Sequence, residues 1–478
     1  MTRIIITVAL LILISCSCIF AGNKPPDHPN ILIIMTDQQS ASMMSCTGNK
    51  WLKTPALDAI ASTGIRFARA YATNPVCVSS RFSIQTGRFP SEIGMRKNGG
   101  QVIDKARVQN LYSESIGHLF QQAGYQTYYG GKVQLPVSGS KIEPWGYKLL
   151  TSDERDNLSV VCADFLMNRK KEDKPFLLFA SFINPHDICY DAIRWAKPDT
   201  KLAKGTPKEL DEALQLPAGI SEKKFFRKIC PPLPDNHQPM TGELSSVDSL
   251  IKLESFRNIV REKWSEKDWR MHRWAYMRLA ERADAQIALV MDALKKSGLS
   301  ENTIVIFTSD HGDHDASHKL EHKTILYEEA ANIPFLISYP WMENKGIVDN
   351  EHLVSNGLDL LPTLCDFAGI TPPAGLMGKS LVPLIQQKKL SDWPNHIYLE
   401  NEVGYMIHTG RYKYELDDTG KIREMFVDLK KDKGETKNRI DSPGYKNIID
   451  SLRSELTISL MKRGIPFNPP IAKLKLRN

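Results

Sequence analysis

Cysteine is sparse in this sequence and never paired. Beyond Cys16 and Cys18 it occurs at Cys46, Cys77, Cys162, Cys189, Cys230 and Cys365, widely scattered and with no CxxC. That distribution excludes a zinc-ribbon spacing and gives no sign of a disulfide framework. There is no internal repeat, which removes solenoids and propellers. The apolar run from Ile4 to Ile14 is too short for a comfortable transmembrane span. No basic helix or RNA-binding signature accompanies the net charge of +7, so a nucleic-acid partner is not expected. A modest positive excess suits an anionic substrate and equally an unremarkable surface.

What is present is ordinary globular composition. With 478 residues, 42% hydrophobic and 24% charged, the chain is long enough for one large core with an appended subdomain. Met1-Thr2-Arg3 followed by the apolar run has the form of a secretory signal over residues 1–22, so export is expected. Leu13-Ile14-Ser15-Cys16 also has the form of a bacterial lipobox, with a signal over 1–15 and a lipid on Cys16 as the only membrane tether. The two routes lead to the periplasm or to an outer-membrane-anchored lipoprotein.

Strand-like and helix-like segments alternate through the first two-thirds. This predicts an α/β domain over 28–385 with a central, mostly parallel sheet flanked by helices. Asn30 to Met35 reads as a buried strand ending at Thr36-Asp37, and Phe176 to Ala180 as another running into Asn184-Pro185-His186-Asp187. Thr54-Pro55 opens a helix closed by Gly64, and Ser113 opens one closed by Gly124, before a strand from Gln126 to Tyr129. A long helix from about Trp274 to Leu294 precedes a strand, Thr303 to Thr308, that delivers Ser309-Asp310-His311-Gly312. Residues 201–273 break into charged and proline-containing pieces and read as an excursion over the catalytic face. From 386 to 478 short strands and a last helix, Ile448 to Met461, predict a small antiparallel subdomain.

Several apolar strands thus end in charged or imidazole side chains, and such ends converge in doubly wound sheets. Cys77-Val78-Ser79-Ser80-Arg81, with Thr86-Gly87-Arg88 downstream, resembles the signature of the type I sulfatases, formylglycine-dependent members of the alkaline-phosphatase superfamily. The resemblance runs in consistent order from Pro29 to about Asn438, where Met425 to Leu429, Asp432, Gly434, Glu435 and Asn438 match the family's ending. It is closest to bacterial glycan and heparan-type sulfatases.

The resemblance implies a nucleophile made by oxidising Cys77 to formylglycine, whose hydrate carries two hydroxyls, one to attack sulfur and one to expel sulfate afterwards. It implies a maturation partner, either a formylglycine-generating or a radical enzyme. Calcium would sit between Asp37 with Gln38 and Asp310 with His311, with the modified Cys77 facing it. Arg81 would pair with the modified residue and sulfate. Lys132 and Lys323 would neutralise sulfonyl oxygens, and His186 would protonate the leaving oxygen. Ser79 stands where the family most often has Pro, and Gln134 where it supplies a His that helps release sulfate. His318 is the candidate to replace that base. His314, His318 and His322 recur every four residues, but a zinc site on a helix is not favoured over a pocket lining.

The expected reaction is hydrolysis of a sulfate ester or sulfamate on a sulfated oligosaccharide, such as a glycosaminoglycan fragment. A phosphomonoester or phosphonate hydrolase of the same superfamily, and an inactive sulfated-glycan-binding homologue, remain open alternatives.

Overall fold

The computed structural model describes residues 26–469 apart from Lys171 and Lys389. The expected signal and the lipid-bearing Cys16 lie outside the described residues, and among these no helix is long and apolar enough to cross a membrane.

The strands, in chain order, are β1 (Asn30–Asp37), β2 (Gly64–Phe67), β3 (Ala70–Tyr71), β4 (Gln126–Gly131), β5 (Lys148–Thr151), β6 (Phe176–Pro185) and β7 (Thr303–Ser309). They continue with β8 (Phe335–Ser338), β9 (Ile347–Asp349), β10 (Val354–Ser355), β11 (Ile397–Glu400), β12 (Gly404–His408), β13 (Tyr412–Asp417) and β14 (Glu424–Asp428). Eight of them form one sheet in the order β5-β4-β6-β1-β7-β8-β2-β9, parallel except where β8 runs against β7 and β2. The central strands are apolar without alternation because both faces are covered. Ile31, Ile33 and Met35 point into one core, and Leu32 and Ile34 into another beneath the long Glu266–Lys296 helix.

Register decides what this sheet presents. β1 pairs with β6 so that Asp37 lies opposite Pro185, one residue before His186, and with β7 so that Thr36 lies opposite Ser309, one residue before Asp310. β4 brings Gly131, the residue before Lys132, opposite Ser181 of β6. Four segments that are distant in sequence therefore finish at one edge, as parallel strands with right-handed crossovers require.

The four-stranded antiparallel sheet β11-β12-β13-β14, with the Lys446–Lys462 helix packed on it, forms the expected smaller unit. Its other face packs against the large domain through Met406, Met425 and Val427, and through Lys413, whose ammonium reaches Glu435 at 2.6 Å, the Leu326 carbonyl at 2.7 Å and Glu328 at 3.2 Å.

Some local expectations need adjustment. The long helix starts at Glu266, eight residues before the apolar stripe used to find it, because Ser265 and Asp268 form a reciprocal capping box. The helix expected from Ser113 is a 3-10 turn, Leu111–Glu114, followed by a helix Ile116–Gln122. Thr54 makes no cap bond to its helix. The free N–H groups of Ala56 and Leu57 are taken instead by Asp284 of the long helix, at 3.1 and 2.9 Å.

Candidate active site

Cys77 is the first residue of the helix Cys77–Thr86, every residue of which is buried. Gly87 ends that helix at φ 66, its N–H returning to the Ser83 carbonyl. Cys77 thus stands at a helix N-terminus, where unpaired N–H groups favour an anion. The next N–H, of Val78, goes to Asn98 Oδ1 at 3.3 Å.

Around the sulfur the expected residues come together. His311 Nε2 and Lys323 Nζ each lie 3.2 Å from Cys77 Sγ, Asp37 Oδ1 lies at 3.8 Å, and Lys132 Nζ at 4.0 Å. Arg81, one helical turn after Cys77, reaches Asp37 and Asp310 at 2.9 Å each, with Ser181 Oγ and the Lys132 carbonyl as further acceptors. Lys132 also sits 2.6 Å from Asp37.

The charges are unevenly matched. Burial alone would raise the Asp37 carboxyl, yet the charges of Lys132, Arg81 and Lys323 hold it well below the ordinary carboxylate range. Burial and Asp37 push the Cys77 thiol up, but Lys132, Lys323 and His311 outweigh them and leave it lowered. Burial, then Lys132 and Lys323, depress His186 well below its usual value, so the imidazole is neutral. Three fixed cations beside two carboxylates leave net positive charge facing the sulfur.

Gln38 adopts φ 68, an uncommon left-handed conformation for a residue with a side chain. It is over-determined there. Its N–H donates to Asp310 Oδ1, its carbonyl accepts from Tyr276, and its amide bridges Asp313 to Lys323, the latter at 2.7 Å. One ligand atom from each of Asp37, Cys77, Asp310 and His311 lies within 4.8 Å of the others, which makes a candidate metal-coordinating cluster. Two buried carboxylates supply the hard oxygens that a divalent cation needs, so the donor set fits.

Two expectations find a different setting. His318 does not join Cys77: its ring stacks on Tyr327 at 3.9 Å, with Asn236 as its hydrogen-bond neighbour. The His314–His322 segment is not helical, since Asp315, Ala316, His318, Lys319 and His322 all have positive φ. Gln134 lines a cleft with Lys132, its buried Oε1 without a partner among the described residues.

Other residues at the site were not singled out in the sequence. Asp313 and Tyr276 hold Gln38, and Arg155 clamps Asp187 beside His186 through contacts of 2.6 and 3.1 Å. Only Asp313, inside the Asp310-His311-Gly312-Asp313 string, was within reach of motif reading.

This nucleophile, arginine and lysine constellation coincides with a family match. The sulfatase family model covers residues 29–370, and that for the N-sulphoglucosamine sulphohydrolase C-terminal region covers 316–462. The chain belongs to the sulfatase family. It is a sulfuric ester hydrolase by that membership, and its two-part α/β architecture is that of the alkaline-phosphatase superfamily.

Among curated relatives, this sulfatase is 30% identical to a Delta 4,5-hexuronate-2-O-sulfatase of Bacteroides thetaiotaomicron, over 91% of this chain and 89% of that protein. It is 28% identical to an arylsulfatase of Clostridium perfringens, over 91% and 95% of the two. A solved 2-O GAG sulfatase superposes with a TM-score of 0.76 at 27% identity, covering 93% of this chain and 95% of that one.

Proposed function

We propose that this sulfatase removes sulfate from a sulfated carbohydrate, an oligosaccharide of the glycosaminoglycan kind, using Cys77 matured to formylglycine. The observation that carries the reading is the convergence of Lys323 and Lys132 on Cys77 Sγ, at 3.2 and 4.0 Å. Two ammonium groups aimed at one reacting atom suit sulfonyl oxygens that gain charge as the ester bond breaks. The similarity to a hexuronate-2-O-sulfatase and a 2-O GAG sulfatase supports the substrate class.

Asp37, Gln38, Asp310 and His311 would hold calcium, which would supply further positive charge to the sulfate. Formylglycine, as its hydrate, would supply an oxygen nucleophile and the means to regenerate itself. The chain's own residues do the rest. Arg81 fixes Asp37 and Asp310 by two short bonds. Lys132 and Lys323 bind the sulfonyl oxygens, and Gln38 holds Lys323 in place. His186 lines the cleft, with Asp187 fixed next to it by Arg155, and gives a proton to the leaving sugar oxygen once the bound anion has raised its basicity. His318, held against Tyr327, takes no part in this reading.

The protein would be matured by a formylglycine-generating or radical enzyme and exported, with Cys16 as the site of any lipid anchor. To test the function, the exported protein is purified, its Cys77 peptide weighed, and aryl sulfate turnover measured before and after calcium chelation. The expected outcome is a Cys77 peptide lighter by the change from thiol to aldehyde, with activity lost on chelation and restored by calcium. Full turnover by a protein whose Cys77 remains a thiol sinks the reading. A panel of defined sulfated mono- and disaccharides then identifies the sugar.

A further inference from the structure

Beside Cys77 opens a cleft of about 580 Å³, large enough for a sugar unit. Its inner wall carries His186 and Lys323, which belong to the site already described. Its outer wall carries Arg257, from a helix Ser255–Lys263 in the excursion over the catalytic face, and Lys97, from the loop whose Asn98 meets the Cys77 helix.

Arg257 is only 6% exposed, a costly place for a guanidinium. It is held from behind: Nε faces the Glu321 carboxylate at 3.3 Å, and Nη2 donates to the carbonyls of Glu321 and Lys323 at 3.1 and 3.2 Å. Nη1 donates to no atom among the described residues, and neither does the Lys97 ammonium. The guanidinium is thereby locked to the backbone of Lys323, the residue whose ammonium touches Cys77. Arg257 and Lys323 line the same cleft, so an anion on Nη1 would share that cleft with an ester presented to Cys77. Glu254 and Glu402 face the same cleft, near enough to act by charge on Arg257, and Glu402 on Lys97, while hydrogen-bonding to neither, and they are suited to accept hydrogen bonds from sugar hydroxyls.

We propose that Arg257 and Lys97 bind a second anionic substituent, a carboxylate or another sulfate, on the same sugar whose ester meets Cys77. This rests on the sulfatase reading for the position of the ester, but binding tests it without turnover. A guanidinium preset by two hydrogen bonds and an ion pair loses little freedom on meeting an anion, so it discriminates against a sugar that lacks one.

The experiment measures affinity by calorimetry on full-length Cys77→Ala protein, for two pairs of probes. One pair is 2-O-sulfated Δ4,5-hexuronate and its carboxyl-reduced counterpart. The other is glucosamine 6-O-sulfate with and without an N-sulfate. The expected result is a preference of roughly 10- to 100-fold for the doubly anionic member of at least one pair. The pair that shows it identifies carboxylate or sulfate as the group read. In Arg257→Lys and in Lys97→Met that ratio should fall to within about threefold, even if overall affinity changes. A merely structural role would weaken both members of a pair alike and leave the ratio intact. No preference in the Cys77→Ala protein, or a preference that survives both substitutions, overturns the proposal. Failure of aryl sulfate turnover in the unsubstituted enzyme would count against the sulfatase reading instead, and the affinity ratios would still decide this one.

Discussion

Lys323 is the residue on which most contacts converge, since it touches Cys77 and Gln38 and its backbone supports Arg257. Replacing it by Ala should lower kcat on an aryl sulfate roughly 100- to 1,000-fold, the usual cost of losing one preorganised donor to a developing anion. Steady-state kinetics at saturating substrate check this. His186 carries a prediction of opposite character. Lys132 and Lys323 depress its pKa, so an anion seated between them and the imidazole must relieve that effect. Ring titration by NMR should show the His186 pKa rising when inorganic sulfate is added. An unchanged titration would mean that sulfate binds elsewhere. By contrast, His318→Ala should leave the residual sulfate-release rate near wild type, because its ring packs on Tyr327 and not at Cys77.

At the scale of elements, β4 shows how a strand end aims a side chain. Gly131 closes the strand at φ 87, and a Cβ there would meet the Ser181 carbonyl oxygen at 2.1 Å. Gly131→Ala should destabilise the fold by more than about 1 kcal/mol and displace Lys132, so that denaturant midpoint and kcat fall together. The helix Asn356–Ala368, packed on the Cys77 helix, has a pH signature. Burial outweighs the N–H groups of Ser355 and Lys379 and pushes the Asp359 carboxyl up to about 7. A carboxyl with a raised folded pKa binds its proton more tightly folded than unfolded, so stability declines as pH rises from about 4 to 7. The slope from this one group is at most about 1.4 kcal/mol per pH unit. Urea midpoints across pH 5 to 8 should fall less steeply in Asp359→Asn than in the parent.

At the scale of the whole molecule, the small sheet is fastened to the large one by buried charge. Lys413 bridges Glu328 and Glu435, and Glu328 also takes Tyr71 and His408 at 2.9 and 3.1 Å. Lys413→Met should cost about 2–3 kcal/mol in urea denaturation. This lies below the full penalty of a broken buried pair because Glu328 is 26% exposed and the Glu435 carboxyl, raised by burial to about 8, can take up a proton. The surface between the two units also lets the later chain support the site: Asn236 donates to the Gly434 carbonyl, and Glu435 accepts the Glu328 N–H.

Much of this was written locally. Unbroken apolar strands ending in Asp37, His186 and Asp310, a Cys-x-x-x-Arg on a helix start, and Gly131-Lys132 are all properties of short segments, so periodicity disclosed the α/β class and the resemblance to the sulfatase signature pointed to most of the residues at Cys77. Where sequence reading missed, the cause lay in a partner far along the chain. Asp284 caps a helix that Thr54 was expected to cap, and Tyr276 and Asp313 hold Gln38 in a left-handed turn. The Tyr327 ring draws His318 away from the sulfur. Arg257 lies in a stretch with no motif at all. The sequence by itself determined which side chains could bind and attack an anion, because their identities and strand-end positions are local. Only the tertiary structure decided which of them meet, because parallel pairing brings distant segments to one edge through long crossovers and sets every distance between them.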